Sequence, residues 1–176
     1  DPKGIEISHK NLLTNIKQVS ELLNFHKEDV ILNSLPIFHS FGLTVTTLLP
    51  LCEGIKMVSV ADPTDGAEVG KMCARHNVSI LFGTSTFFRL YTRNKKLHPL
   101  MLQSVRMVIA GAEKLKPDVK EAFRLKFGLE IYEGYGATET TPVASVNMPN
   151  ILDPDTLKEF SFNKVGSVGM SLPGTI

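Results

Sequence analysis

The first clear periodicity starts at Ser8, where Leu12, Ile16, Val19 and Leu23 recur at spacings of three and four in SHKNLLTNIKQVSELLNF. That spacing lines one face of a helix, and Ser8 is placed to cap its first turn. DVILNSLP is a short apolar run stopped by Pro36 and predicts a strand. Residues 42–52 are apolar without alternation and predict a buried helix closing at Glu53-Gly54. IKMVSV predicts a second strand, and residues 65–76, with Val69, Met72 and Cys73 on one face and Asn77 after them, a helix. VSILFG predicts a third strand, residues 84–93 a helix, and VRMVIAG a fourth strand. After Pro117 the residues Val119, Phe123 and Phe127 share a helical face. Pro117 suits the first turn, Asp118 and Lys126 complement the two ends of the helix dipole, and Gly128 sits where a terminal glycine turns the chain out. LEIYEGYG predicts a fifth strand running into a glycine turn.

Five apolar runs alternating with helical segments predict an α/β fold, a mostly parallel sheet with helices on both faces. Ligands of such sheets bind beyond the carboxyl ends of the strands. Ala110-Gly111-Ala112 and Gly134-Tyr135-Gly136 each follow a predicted strand and so fall on that edge. Residues 147–176 shift to Pro, Asp and Gly with little periodicity, which predicts a loop-rich segment with short strands leading out of the sheet.

At 176 residues and 43% apolar, the chain suffices for one core. A net charge of +1, with both signs interspersed, offers no footprint for nucleic acid or an anionic membrane surface. Cys52 and Cys73 lie far apart without a CxxC pair, and read as buried thiols in a reducing compartment. The longest apolar stretch, residues 41–52, holds three threonines and Pro50, and falls short of the roughly 18 apolar residues of a membrane span. No membrane contact is expected from this segment. The chain opens at Asp1 without a signal-like front, so it is expected to be a piece of a longer protein.

The candidate chemistry lies in EGYGATETTP, residues 133–142. Small residues beside an aromatic let a flat ligand lie between backbone and ring, while hydroxyls and N–H groups take up a phosphate. The same phosphate would repel Glu139 unless a cation lies between them, which makes Glu139 a candidate magnesium ligand. A strand-to-loop turn whose Thr and Glu residues cap the next segment accounts for these ten letters equally well.

GYGATE resembles the signature of the adenylate-forming enzymes, the superfamily of acyl-CoA synthetases, luciferases and peptide-synthetase adenylation domains. Pro2-Lys3-Gly4 with Ser8-His9 resembles the tail of that family's phosphate loop, and LPIFHSFG, VIAGAEKL and VGSVGMSLPG match it in the same order. Within the family, SLPIFHSFGLT, ILFGTSTF and PVASVNMP most resemble the synthetase part of the bifunctional acyl-[acyl carrier protein] synthetase and 2-acylglycerophosphoethanolamine acyltransferase.

The resemblance implies ATP and Mg²⁺ as cofactors, a fatty acid as substrate and a phosphopantetheine thiol, on acyl carrier protein or coenzyme A, as acceptor. Tyr135 and Gly136 would meet the adenine, with Gly111 and Ala112 on its other side and Glu113 nearby. Thr138 would bind the α-phosphate, Glu139 would hold Mg²⁺, and Lys3 would belong to the loop that handles the outer phosphates. His39 would lie near the fatty carboxylate. Gly83 and Thr84 either border the acyl pocket or pack a strand-to-helix turn. Without its motif, His39 would sooner read as a core histidine satisfied by backbone; the motif reverses that order.

The resemblance further implies that residues 1–176 are part of an AMP-binding domain, without the front of the phosphate loop, the ribose-binding aspartate and the C-terminal domain with the catalytic lysine. The parent would be an enzyme of phospholipid repair on the cytoplasmic face of a bacterial inner membrane, and this piece alone nearly inactive. A fatty acyl-CoA synthetase, or a nucleotide-binding module that has lost its chemistry, are the competing readings.

Overall fold

The computed structural model describes residues 3–175. Five strands, β1 (Val30–Asn33), β2 (Lys56–Ser59), β3 (Ile80–Gly83), β4 (Met107–Ala110) and β5 (Ile131–Gly136), lie parallel in the order 2-1-3-4-5. Beyond β5, β6 (Val143–Val146) pairs antiparallel. A separate two-stranded ribbon, β7 (Ile151–Leu152) with β8 (Glu159–Phe160), precedes β9 (Met170–Ser171), which returns to pair with β6.

The helices α1 (His9–Leu23), α2 (Leu49–Glu53), α3 (Gly66–His76), α4 (Ser85–Arg93) and α5 (Pro117–Phe127) divide between the two faces. Successive strand residues point to opposite sides, so each apolar run feeds two cores and shows no alternation. Leu32, Leu81 and Val108 meet Val69, Phe88 and Phe123 from α3, α4 and α5. Ile31, Ile80 and Ile109 meet Ile16, Val19 and Leu23 from α1 on the other side. The strand order changes direction between β1 and β3, which opens a crevice at their carboxyl ends.

Helix ends follow their local chemistry. Ser8 and Asn11 form a reciprocal cap on α1, and Asp65 accepts from the amides of Ala67 and Glu68 at the start of α3. Gly128 closes α5 with φ +70°. The amino ends of three strands are tied by Asp29, which is 3% exposed. Its carboxylate accepts from Nε and Nη2 of Arg106 at 2.9 and 2.6 Å, from the Ser79 hydroxyl at 2.6 Å and from the His26 amide at 2.8 Å.

Three expectations need correcting. Residues 42–52 form a π-helix, Gly42–Leu48, and then the five-residue α2. The hydroxyls of Thr46 and Thr47 both donate to the Gly42 carbonyl, at 2.9 and 3.2 Å, and take the acceptor that a regular α-ladder would use. Cys52 is exposed, because α2 is too short to bury more than its first turn; Cys73 alone is a buried thiol, pushed up to about 12 by desolvation. Gly134, Tyr135 and Gly136 are the last residues of β5 and not a flexible turn. A Cβ on Gly136 would run into the Pro142 carbonyl, so glycine serves close approach there. No helix among the described residues is long and apolar enough to cross a membrane.

Candidate active site

Ala110 at the end of β4 stands opposite Glu133 of β5, so Gly111 and Ala112 leave the sheet beside Gly134-Tyr135-Gly136, which continue in β5. The Phe41 ring lies where a side chain on Gly111 would stand, its Cζ 2.8 Å from the Cβ position. Ala112 then takes φ +66°, a left-handed turn made by a non-glycine residue. Two carboxylates hold the loop after it. Glu113 accepts from the Thr86 amide at the start of α4, and Glu133 accepts from the Leu115 amide at 3.0 Å. Burial raises the Glu113 carboxyl, but hydrogen bonds from the Thr86 amide, the Thr86 hydroxyl and the Thr84 hydroxyl together outweigh it and hold it below the usual carboxylate range.

Beyond β5, Thr138–Thr140 form one turn of 3₁₀-helix. Ala137 donates its amide to the Pro142 carbonyl at 3.0 Å, and the Thr140 hydroxyl donates to the same carbonyl, which folds residues 137–142 into a closed loop. The loop after β1 comes to meet it: the Thr138 and Ser40 hydroxyl oxygens are 3.3 Å apart. His39 accepts the Phe41 amide on Nδ1 at 3.2 Å. That bond occupies Nδ1 and leaves Nε2 as the ring nitrogen open to another partner.

These segments enclose a cavity of about 190 Å³. Its rim is formed by His39, Ser40, Gly111, Ala112, Tyr135 and Thr138, and its floor by Val45, Phe82, Ile109 and Val143 with Leu22 and Leu23 of α1. His39 and Tyr135 are the titratable side chains of the lining, which contains no carboxylate and no Lys or Arg. An anion bound there would be met by hydroxyls, amides and whatever cation accompanies it.

Of the residues expected from sequence, His39, Gly111, Ala112, Tyr135, Gly136 and Thr138 share this one cavity. Glu139 is the next residue along, exposed on the 3₁₀ turn beside the rim rather than in the lining. With Thr138 it offers hard oxygen donors facing solvent, a set that suits Mg²⁺, which keeps several waters and takes one or two carboxylates plus phosphate oxygens. Glu113 braces α4, and Lys3 is exposed. Pro2, the other residue of the phosphate-loop resemblance, lies outside the described residues.

Gly83 and Thr84 are not brought to the cavity: Gly83 backs onto the Phe88 ring, and the Thr84 hydroxyl caps α4 by accepting from the Phe87 amide at 3.3 Å. Their neighbour Phe82 is the one that reaches the floor. Sequence reading missed Ser40, Phe41 and Phe82. Ser40 and Phe41 lie inside the HSFG motif beside His39, so the motif itself was the available signal.

The AMP-binding enzyme family model matches residues 1–176. A long-chain-fatty-acid–CoA ligase of Escherichia coli is 30% identical over 98% of this chain and 30% of its own length. 4-Coumarate–CoA ligase 1 of Oryza sativa is 30% identical over 99% of the chain and 34% of its own. ATP-bound MatB from Rhodopseudomonas palustris superposes with a TM-score of 0.76 at 26% identity, covering 92% of this chain and 35% of that one. The fatty acid AMP ligase from Legionella pneumophila gives 0.77 at 25% identity, over 84% and 28%. The chain therefore spans about a third of the length of the relatives it matches. With its parallel sheet and with this cavity at the carboxyl edge, the chain belongs to the AMP-binding enzyme family, the adenylate-forming enzymes.

Proposed function

We propose that this chain is the adenylate-binding part of an AMP-forming acyl ligase that takes a fatty acid and passes it to coenzyme A. The observation that carries the reading is one cavity whose polar rim continues into an apolar floor. A polar end and an apolar tail are what an acyl-adenylate presents.

A carboxylate is a poor electrophile, so ligases of this kind let it attack the α-phosphorus of ATP. An oxygen–phosphorus bond forms, pyrophosphate leaves, and a thiolate then attacks the acyl carbon and expels AMP. Two anions must meet in the first step, so oriented donors at the rim would lower the barrier. Thr138 donates to the α-phosphate, and Tyr135 stacks on adenine opposite Gly111 and Ala112. His39, with Nδ1 engaged by the Phe41 amide, donates from Nε2 to the fatty carboxylate. Glu139 holds Mg²⁺, which when bound supplies the positive charge that the lining lacks.

Pyrophosphate exchange in the full-length protein tests this reading: the exchange should depend on fatty acid and fall at least about a hundredfold in Thr138→Ala. Exchange that ignores the acid would refute it. The 176-residue chain alone should turn over far more slowly than the full-length protein.

The motif wording supports a second reading, with acyl carrier protein as acceptor, in a phospholipid-repair enzyme fused to an acyltransferase and attached to a bacterial inner membrane. Coenzyme A is preferred because it stands in the names of the fatty-acid and coumarate ligases above. Faster transfer to a carrier-protein thiol than to coenzyme A would reverse that order.

A further inference from the structure

We propose that Asn15, on α1, is a positioning residue for the adenylate loop, acting on Thr138 and Glu139 through the backbone of Val143. The inference rests on the roles just given to those two residues.

Asn15 is 3% exposed, although Thr14 and Lys17 on the same helix face solvent. Its Nδ2 donates to the Val143 carbonyl at 2.7 Å, and its Oδ1 accepts the Val143 amide at 3.2 Å. One side chain thus satisfies both polar groups of a single residue 128 positions away. The sheet shows why a side chain is needed there. β6 is bonded to β5 on one side, but on the other β9 pairs only with Ser145 and Val146, and Leu172 donates to Ala144. Val143 therefore meets no strand on its outer side among the described residues. Buried backbone groups are costly to leave unpaired, and Asn15 supplies the missing rung.

That rung is the foot of the loop. The carbonyl immediately before Val143, that of Pro142, receives the amide of Ala137 and the hydroxyl of Thr140 and closes residues 137–142. Gly136 has no Cβ because the same carbonyl occupies the space. The other ties to this loop are longer: Thr44 donates to the Thr141 carbonyl at 3.4 Å, and Ser40 and Thr138 touch at 3.3 Å. One turn further along α1, Gln18 donates to the Pro173 carbonyl at 2.6 Å, so the same helix also holds the segment after β9. Thr138 is thereby set relative to α1 and to the His39 loop that packs beside it.

The test is pyrophosphate exchange in the full-length protein with Asn15→Asp, Asn15→Leu, Thr138→Ala and the Asn15→Asp/Thr138→Ala double variant. The aspartate keeps an acceptor for the Val143 amide and sets a carboxylate against its carbonyl; the leucine removes both bonds. We expect the aspartate variant to lower kcat about tenfold with the KM for fatty acid unchanged, and the double variant to lie within about twofold of Thr138→Ala. A wild-type rate in Asn15→Asp, or losses that multiply in the double variant, would overturn the proposal. If the leucine variant does not fold, the aspartate variant decides; if neither folds, Asn15 serves folding and the positioning role is wrong. A wild-type rate in Thr138→Ala would remove the underlying reading and the proposal with it. A slow Thr138→Ala beside an unaffected Asn15→Asp would remove the proposal alone.

Discussion

At Gly136 the absence of a side chain does the structural work. The Pro142 carbonyl and the Val143 Cα crowd the position of the missing Cβ, and backbone there cannot rotate away as a side chain would. Gly136→Ala should cost about 1–3 kcal/mol in thermal unfolding, the usual price of overpacking, and weaken nucleotide binding by displacing residues 137–142. Asp29 sets a second expectation. Burial raises its carboxyl, but bonds from Arg106, Ser79 and the His26 amide prevail and bring it down to about 2 from 3.8. A folded value below the unfolded one gives stability that is present above pH 4 and lost as pH falls toward 2. The loss should be about 2 kcal/mol, read as a falling urea midpoint that is flatter with pH in Asp29→Asn. The residue types at the site were legible because hydroxyls, glycines and a carboxylate in one short run make sense for phosphate. Asn15 was not, since a lone Asn on an amphipathic helix carries no sign of a partner 128 positions away.

Helices α1, α3, α4 and α5 were readable in advance because their caps and apolar spacing are local. Ser8, Asp65, Thr84 and Gly128 all stand at or beside the ends they were expected to mark, or explain them once seen. β6 was not readable, and β9 only as one of the short strands expected within residues 147–176, because four and two residues of strand are defined by what they pair with rather than by their own pattern. The π-helix was hidden for a similar reason, as it depends on two threonine hydroxyls choosing the Gly42 carbonyl. Lys126 shows a further link between elements: its ammonium donates to the carbonyls of Tyr91, Thr92 and Asn94 at 3.0, 3.1 and 2.7 Å, closing the carboxyl end of α4 from α5. Desolvation lowers its pKa, yet the helix dipole and three acceptors suit a cation. Lys126→Met should lower stability by about 1–2 kcal/mol in thermal melts and speed amide exchange at residues 91–94.

At the scale of the molecule, the sheet makes the site. A 2-1-3-4-5 order turns the chain in opposite directions from β1, and the loops leaving β1, β4 and β5 converge where that crevice opens. One loop brings His39 and Ser40, another Gly111 and Ala112, and the third Thr138, beside Tyr135 at the end of β5. Alternating apolar runs and helices foretold the parallel sheet, whereas the depth of the cavity under α1 depended on packing that periodicity does not encode. Adenylate binding at this rim is measured most directly by a calorimetric titration of the full-length protein with a non-hydrolysable acyl-adenylate mimic and Mg²⁺, wild type against Thr138→Ala. A hydrogen bond to a charged group contributes roughly 1.5–3 kcal/mol, so the account predicts about ten- to a hundredfold weaker binding in the variant, with the fold intact by circular dichroism. Equal affinity in the two proteins would contradict it.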